Sequence, residues 1–303
     1  MKANVKANIS KYKSLIGLVL LCIVITIVTP NFLSVSNITN VFTQVSVNAI
    51  IAIGMTFVIL TGGIDLSVGS TLAISGAVGA SIVKSTGNVF LAIIVAAVIG
   101  IAVGLINGLL VSKGKLQAFI VTLATMTIFR GAPISKLPEA FVKIGNGKLG
   151  FMPIPVIITI IIAIIAVYAL SQTRFGRYLY ALGGNEDASR LSGINTDKIK
   201  TLVYVVSGFA SAIAGVIITS RIGSASPNAG TGFELDAIAA VVIGGTSLAG
   251  GEGTITGTLI GALIIGVLNN GLNLMNVSPF YQSIVKGLVI LIAVLLDKKS
   301  RKN

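Results

Sequence analysis

Four short segments of this 303-residue sequence carry side chains whose type and spacing suit chemistry. In Thr61-Gly62-Gly63-Ile64-Asp65-Leu66-Ser67-Val68-Gly69-Ser70 a carboxylate stands between two apolar stretches. An ionisable group there marks a functional site, unless Asp65 or Ser67 simply caps the helix that follows. The paired glycines permit a tight turn or a close helix approach. In Gly230-Thr231-Gly232-Phe233-Glu234-Leu235-Asp236 the two carboxylates lie about 200° apart on a helix and do not converge for acid/base work. Capping and ion pairing, with Arg221 as partner, is their expected use. In Leu268-Asn269-Asn270-Gly271-Leu272-Asn273-Leu274 the amides of Asn269 and Asn273 share a helix face that Asn276 extends. Amides donate and accept as sugar hydroxyls do, so this face, with Asn270, either lines a polyol path or ties membrane helices together.

The fourth segment, Arg174 to Lys200, is the longest charged stretch. Asn185 suits a helix N-cap, and Glu186 and Asp187 suit the positive end of a first turn. Ala188, Arg190 and Leu191 continue that turn, and Gly193 suits a left-handed stop. A short capped polar helix in a loop is what docking into a partner needs; an ordinary surface turn is the plainer alternative.

The absences are as informative. Without histidine no Ser-His-Asp set can form, and one cysteine, Cys22, cannot supply a zinc, haem or iron–sulfur site. No catalytic residue, metal ligand or cofactor is therefore assigned. Gly108 to Leu116 misses the phosphate-loop spacing and puts Leu where Ser or Thr must hold magnesium; Gly251-Glu252-Gly253 ends in Thr256 with no dinucleotide-binding unit around it. The chain binds no ATP by itself.

The elements that position these segments follow from composition. The chain is 54% hydrophobic and 10% charged, with 35 glycines and mean hydropathy +0.99. Soluble domains carry about 25% charged residues, so an all-α polytopic membrane protein with a single domain over 1–303 is expected. Apolar runs fall near 14–29, 41–61, 66–83, 90–111, 116–131, 153–170, 201–221, 235–250, 254–274 and 281–296. They predict about ten crossings, or eight with two re-entrant segments. The first run follows Lys2, Lys6, Lys11 and Lys13 like a signal peptide, but Thr29-Pro30-Asn31 offers no cleavage site, so an uncleaved helix is expected.

The net charge of +13 has a topological reading rather than a nucleic-acid one. With the N-terminus inside, fifteen of the 22 basic residues lie in cytoplasmic segments, five of them in the loop 171–200, and six lie outside. Both termini are then cytoplasmic. Glycine pairs precede Ser/Thr/Gly-rich helices at 62–63 and at 250–251, so runs two to five and seven to ten are candidate inverted repeats.

These strings together resemble a known family. Ser46-Val47-Asn48-Ala49-Ile50, the Gly62 to Ser70 segment, Gln117-Ala118-Phe119-Ile120 and Tyr180-Ala181-Leu182-Gly183-Gly184-Asn185-Glu186 carry the likeness. So do Arg190-Leu191-Ser192-Gly193-Ile194-Asn195, Gly232 to Val242, Gly244 to Gly251 and Leu268 to Leu274. Over nearly the whole length the chain resembles the ribose permeases, membrane subunits of bacterial ATP-binding-cassette (ABC) monosaccharide importers.

The resemblance implies a homodimeric permease of the type II importer class in the inner membrane. It pairs with a cytoplasmic ATPase and receives sugar from an extracytoplasmic binding protein. Asn185, Glu186, Asp187, Ala188, Arg190, Leu191 and Gly193 then form the helix that couples to the ATPase, with Gly193 one position late for the importer motif. Asp65, Asn269, Asn270 and Asn273 are the candidates for path or gate. Relatives carry extra residues where Phe129-Arg130-Gly131 runs into Ala132-Pro133-Ile134-Ser135, so a short or displaced fifth helix is expected. Ribose rests on overall likeness, with xylose, galactose or a related sugar open. A secondary transporter using Asp65 and Glu234 as coupling carboxylates is the rival reading, with an intramembrane enzyme third.

Overall fold

Capping side chains set several of the helix starts in the computed structural model, which describes residues 13–300. Lys2, Lys6 and Lys11, and Arg301 and Lys302, fall outside the described residues. Helix α1 spans Lys13–Val28; α2, Val35–Leu60, opens where Ser34 Oγ accepts from the Asn37 N–H at 3.3 Å. Helix α3, Val68–Thr86, stops on Gly87 at φ 69°, and Asn88 starts α4, Val89–Ser112, by accepting from the Leu91 N–H at 3.0 Å. Next come α5, Ala118–Ile128, the amphipathic α6, Glu139–Asn146, and a two-residue hairpin of β1, Lys148–Leu149, and β2, Met152–Pro153. The remaining helices are α7, Ile154–Gln172, α8, Arg174–Gly184, α9, Glu186–Leu191, and α10, Thr196–Ile222. They end with α11, Phe233–Ile243, α12, Ile255–Leu274, and α13, Pro279–Ser300.

Among the described residues six helices, α2, α3, α4, α7, α10 and α12, are long and apolar enough to cross a bilayer. Helices α2 and α10 form the centre and pack on each other. Around them α10 packs along α3 and α4, while α2 packs along α11 and α12. The tightest seam is α4 on α10, and its cause is a stripe of small residues every fourth position. A Cβ at Gly100 would lie 2.3 Å from the Gly208 carbonyl oxygen, and one at Gly104 would lie 2.3 Å from that of Tyr204. Ile50, Ile51, Met55, Leu72, Ile217 and Ile265 belong to one core around the two central helices. Leucines, isoleucines and valines on α1, α4, α7 and α13 stay exposed, the surface that hydrocarbon covers.

Two of the predicted apolar runs hold less helix than a crossing needs, and the shortness of the fifth is as expected. Runs 116–131 and 235–250 yield helices of only 11 residues each, α5 and α11. That is about 16 Å of helix against a hydrocarbon core of about 30 Å. Non-helical chain adjoins each of them. After α5, residues 129–134 run along α3, where a Cβ at Gly131 would meet the Ala73 carbonyl oxygen at 2.7 Å. Before α11, residues 224–232 run beside that segment. Ile134 and Ala225 exchange backbone hydrogen bonds of 3.1 and 2.8 Å, and the Arg130 guanidinium donates to the Pro227 carbonyl and Thr231 hydroxyl, each at 3.2 Å. Backbone without helical bonds survives inside a membrane bundle only where protein or water satisfies it, and here each segment serves the other. Near their inner limit the starts of α3 and α11 touch: a Cβ at Gly69 would lie 2.3 Å from the Gly230 carbonyl oxygen.

Candidate functional site

The charged stretch folds as two helices. Thr173 Oγ1 caps α8 by accepting from the Gly176 N–H at 3.3 Å, and the buried side of α8, with Leu179 and Leu182, turns toward the bundle. Phe175 stacks on Phe57 of α2 with centroids 6.0 Å apart. A Cβ at Gly183 would lie 1.9 Å from the Leu60 carbonyl oxygen at the end of α2, and the Gly251 N–H donates to that same oxygen at 3.0 Å. The Tyr180 hydroxyl donates to the Gly253 carbonyl at 2.7 Å; burial pushes it above the usual tyrosine range, so it stays protonated as a donor. Helix α8 therefore ties the end of α2 to the loop between α11 and α12.

Helix α9 is the tip. Asn185 Oδ1 accepts from the Ala188 N–H at 2.9 Å, the predicted N-cap. Glu186 pairs with Arg190 at 3.2 Å and with Lys200. Arg190 also donates to Thr196 Oγ1 at 3.1 Å and lies 3.7 Å from Asp197, which Lys115 at the end of α4 meets at 2.7 Å. Gly193 takes φ 82°, and its N–H donates to the Arg190 carbonyl at 3.0 Å. Acidic and basic side chains thus hold the base of α9 against α10 and α4. The outer side carries Asp187, Ala188 and Leu191, the last 90% exposed.

The amide face on α12 divides. Asn270 exchanges two hydrogen bonds with Asn37 of α2, 3.0 and 2.9 Å, and both are buried. Asn269 instead donates to the Asp236 carboxylate at 3.3 Å, and Lys286 of α13 pairs with that same carboxylate oxygen at 3.0 Å. Asn273 accepts from Gln282 of α13 at 2.9 Å. Three helices, α11, α12 and α13, so meet through an acid, a base and three amides. Asn276 does not extend the face: α12 ends at Leu274 and Asn276 turns to φ 54°.

The expected ion pairing of the second segment is also corrected. Lys286, not Arg221, is the partner of Asp236, because Arg221 ends α10 against α6, where its carbonyl accepts from Asn146 at 2.9 Å. Glu234 accepts from the Gly232 N–H at 3.2 Å, and the two carboxylates point apart as their spacing required.

Asp65 lies away from this cluster, 1% exposed in the link between α2 and α3. It accepts from the Ser67 N–H at 3.0 Å, the Ser67 hydroxyl at 2.6 Å and the Ser207 hydroxyl at 2.7 Å. Ser67 itself makes no capping bond, so Asp65 closes the start of α3 and ties it to α10. The four path candidates thus fall in two places. Sequence reasoning missed Lys286, Gln282, Asn37 and Tyr180; of these only Lys286, a lone cation inside an apolar run, gave a signal.

Central helices sealed by small residues, non-helical backbone within the bundle and polar clusters between apolar helices define a multi-pass membrane protein of the transporter class. The comparisons agree. Residues 37–294 match the model of the family described as branched-chain amino acid transport system, permease component, and the chain belongs to that permease family. It is 55% identical to the ribose import permease protein RbsC of Haemophilus influenzae, across 94% of this chain and 92% of the relative. The RbsC proteins of Escherichia coli K12 and Bacillus subtilis 168 are each 52% identical, covering 98% and 94% of this chain and 96% and 91% of their own. No solved structure matches.

Proposed function

We propose that the chain is the permease subunit of an ABC importer that carries ribose across the bacterial inner membrane. It works as a homodimer with a separate cytoplasmic ATPase and an extracytoplasmic sugar-binding protein, and it needs no cofactor of its own. The observation that carries this reading is α9, a capped and ion-paired tip with Leu191 standing in the open, rigidly joined through α8 to α2 and to the 250–253 loop. Ribose as cargo rests on the relatives named for ribose import.

The topology follows the same reading. Both termini are cytoplasmic by the distribution of basic residues. The chain crosses ten times in a type II arrangement, with the fifth and eighth crossings part helix and part non-helical chain. The inverted repeats pair α2–α5 with α10–α13. Their support is reciprocal packing: α10 lies along α3 and α4 as α2 lies along α11 and α12.

In this mechanism ATP closes the ATPase pair, and the paired tips move with it. Helix α8 passes the displacement to the end of α2 and to the 250–253 loop. The path along the dimer axis then changes the side to which it opens. Asn269 and Asn273 offer hydroxyl-compatible groups to the sugar, Asn270 fixes α12 to α2, and Asp65 holds the start of α3 in register as a gate element.

The test is uptake of labelled ribose by proteoliposomes holding the permease, its ATPase and its binding protein. ATP-dependent uptake is expected, lost on Glu186→Lys or on deletion of 186–191 while the protein still inserts. Unchanged uptake by either variant, or uptake driven by a sodium or proton gradient without ATPase, overturns the reading.

A further inference from the structure

The surroundings of Asp65 pose a charge problem. Its three hydrogen-bond partners, a peptide N–H and two hydroxyls, can all donate to it, an arrangement that accommodates an ionised carboxylate. No lysine or arginine pairs with it among the described residues. The N-terminus of α3 offsets part of the charge, about half an elementary charge at best. The remainder is costly so far from water.

Two further oxygens in this region are left over. Asn107 of α4 donates its Nδ2 to the Ser67 hydroxyl at 2.8 Å, so its amide adjoins the Asp65–Ser67 pair, but its Oδ1 has no partner among the described residues. The Tyr204 hydroxyl of α10, one turn before Ser207, has none either. It lies against the same link, where a Cβ at Gly63 would be 2.6 Å from it. Asn107 is 0% and Tyr204 1% exposed, so bulk water does not satisfy them. A positive ion would neutralise the buried carboxylate and give the two unpartnered oxygens a partner at the same time.

We propose that Asp65, Ser67, Ser207, Asn107 and Tyr204 bind a monovalent alkali cation. All the available ligands are hard oxygens, and with a single carboxylate the set balances one positive charge rather than two. Such an ion fastens the link between α2 and α3 to α4 and α10 at once. It serves the fold and stays in place while sugar passes, so it does not bear on how uptake is driven.

The experiment uses the permease alone, purified in lipid nanodiscs, and follows its thermal unfolding as sodium chloride replaces choline chloride at constant ionic strength. Sodium is expected to raise Tm in a saturable manner. Asp65→Asn is expected to abolish the sodium dependence. Tyr204→Phe keeps the packed ring and loses only the hydroxyl; it is expected to move the sodium midpoint up about tenfold, near 1.4 kcal/mol of binding. That variant keeps the test open should Asp65→Asn fail to fold. Equal Tm in sodium and choline for the unaltered protein overturns the site, as does a sodium response that survives both substitutions.

Discussion

The Lys286 ammonium of α13 lies 3.0 Å from the Asp236 carboxylate of α11, and Asn269 of α12 donates to the same oxygen. The two charges are matched because neither tolerates the interior alone. Lys286→Met leaves a buried carboxylate unpaired and is expected to cost about 3–5 kcal/mol, read as a large fall in Tm. Adding Asp236→Leu to that variant should restore most of the loss. A double variant no more stable than the single one means that the pair does not hold these helices.

Leu191 separates docking from folding. Leu191→Asp is expected to leave the permease's Tm within a degree or two, since the side chain touches almost nothing. Its co-purification with the ATPase should fall at least tenfold. Retained association would move the docking surface off α9.

Gly183 tests the joint between tip and bundle. A Cβ there meets the Leu60 carbonyl oxygen at 1.9 Å, so Gly183→Ala forces α8 away from the end of α2. The expected result is an assembled complex that hydrolyses ATP yet imports ribose several-fold more slowly. Normal import would show that α8 need not stay seated on α2.

Tyr180→Phe removes the single hydroxyl that joins α8 to the Gly253 carbonyl. A loss of about 1 kcal/mol is expected, with the same direction of effect on import as at Gly183. Chemical denaturation of the purified protein measures it, and an unchanged midpoint would leave the contact without a stabilising role.

How legible this was depended on the kind of signal. Long apolar runs became long helices, and the ends of α3 and α4, marked by the stop Gly87 and the cap Asn88, fall within three residues of expectation. The capped helix from Asn185 was read residue by residue, because a cap is a local interaction. The short fifth helix was expected from the residues missing after Arg130, whereas the eighth run misled, since apolarity marks burial but does not tell helix from buried non-helical chain. Gly131 and Pro133 in one, and Gly230 and Gly232 ahead of the other, were the physical hints.

In the polar clusters the spacing of Asn269 and Asn273 was visible and their partners were not. Asn37 meets Asn270 across 233 positions, and Lys286 meets Asp236 across 50. Such pairings follow from packing, which no local pattern encodes. Helix α8 escaped notice for another reason: its amphipathic face was read as part of one polar loop.

The non-helical stretches around Arg130 and Thr231 bear on how such a bundle can move. Straining a helix midway breaks bonds that nothing nearby replaces in hydrocarbon. Here the interruption is built into the fold, and the two stretches are joined by the Ile134–Ala225 backbone pair and the Arg130 side chain. Neighbouring helices can tilt about this seam by shifting a few hydrogen bonds sideways. The fold thus carries a ready-made crease, and bending there leaves every helix whole.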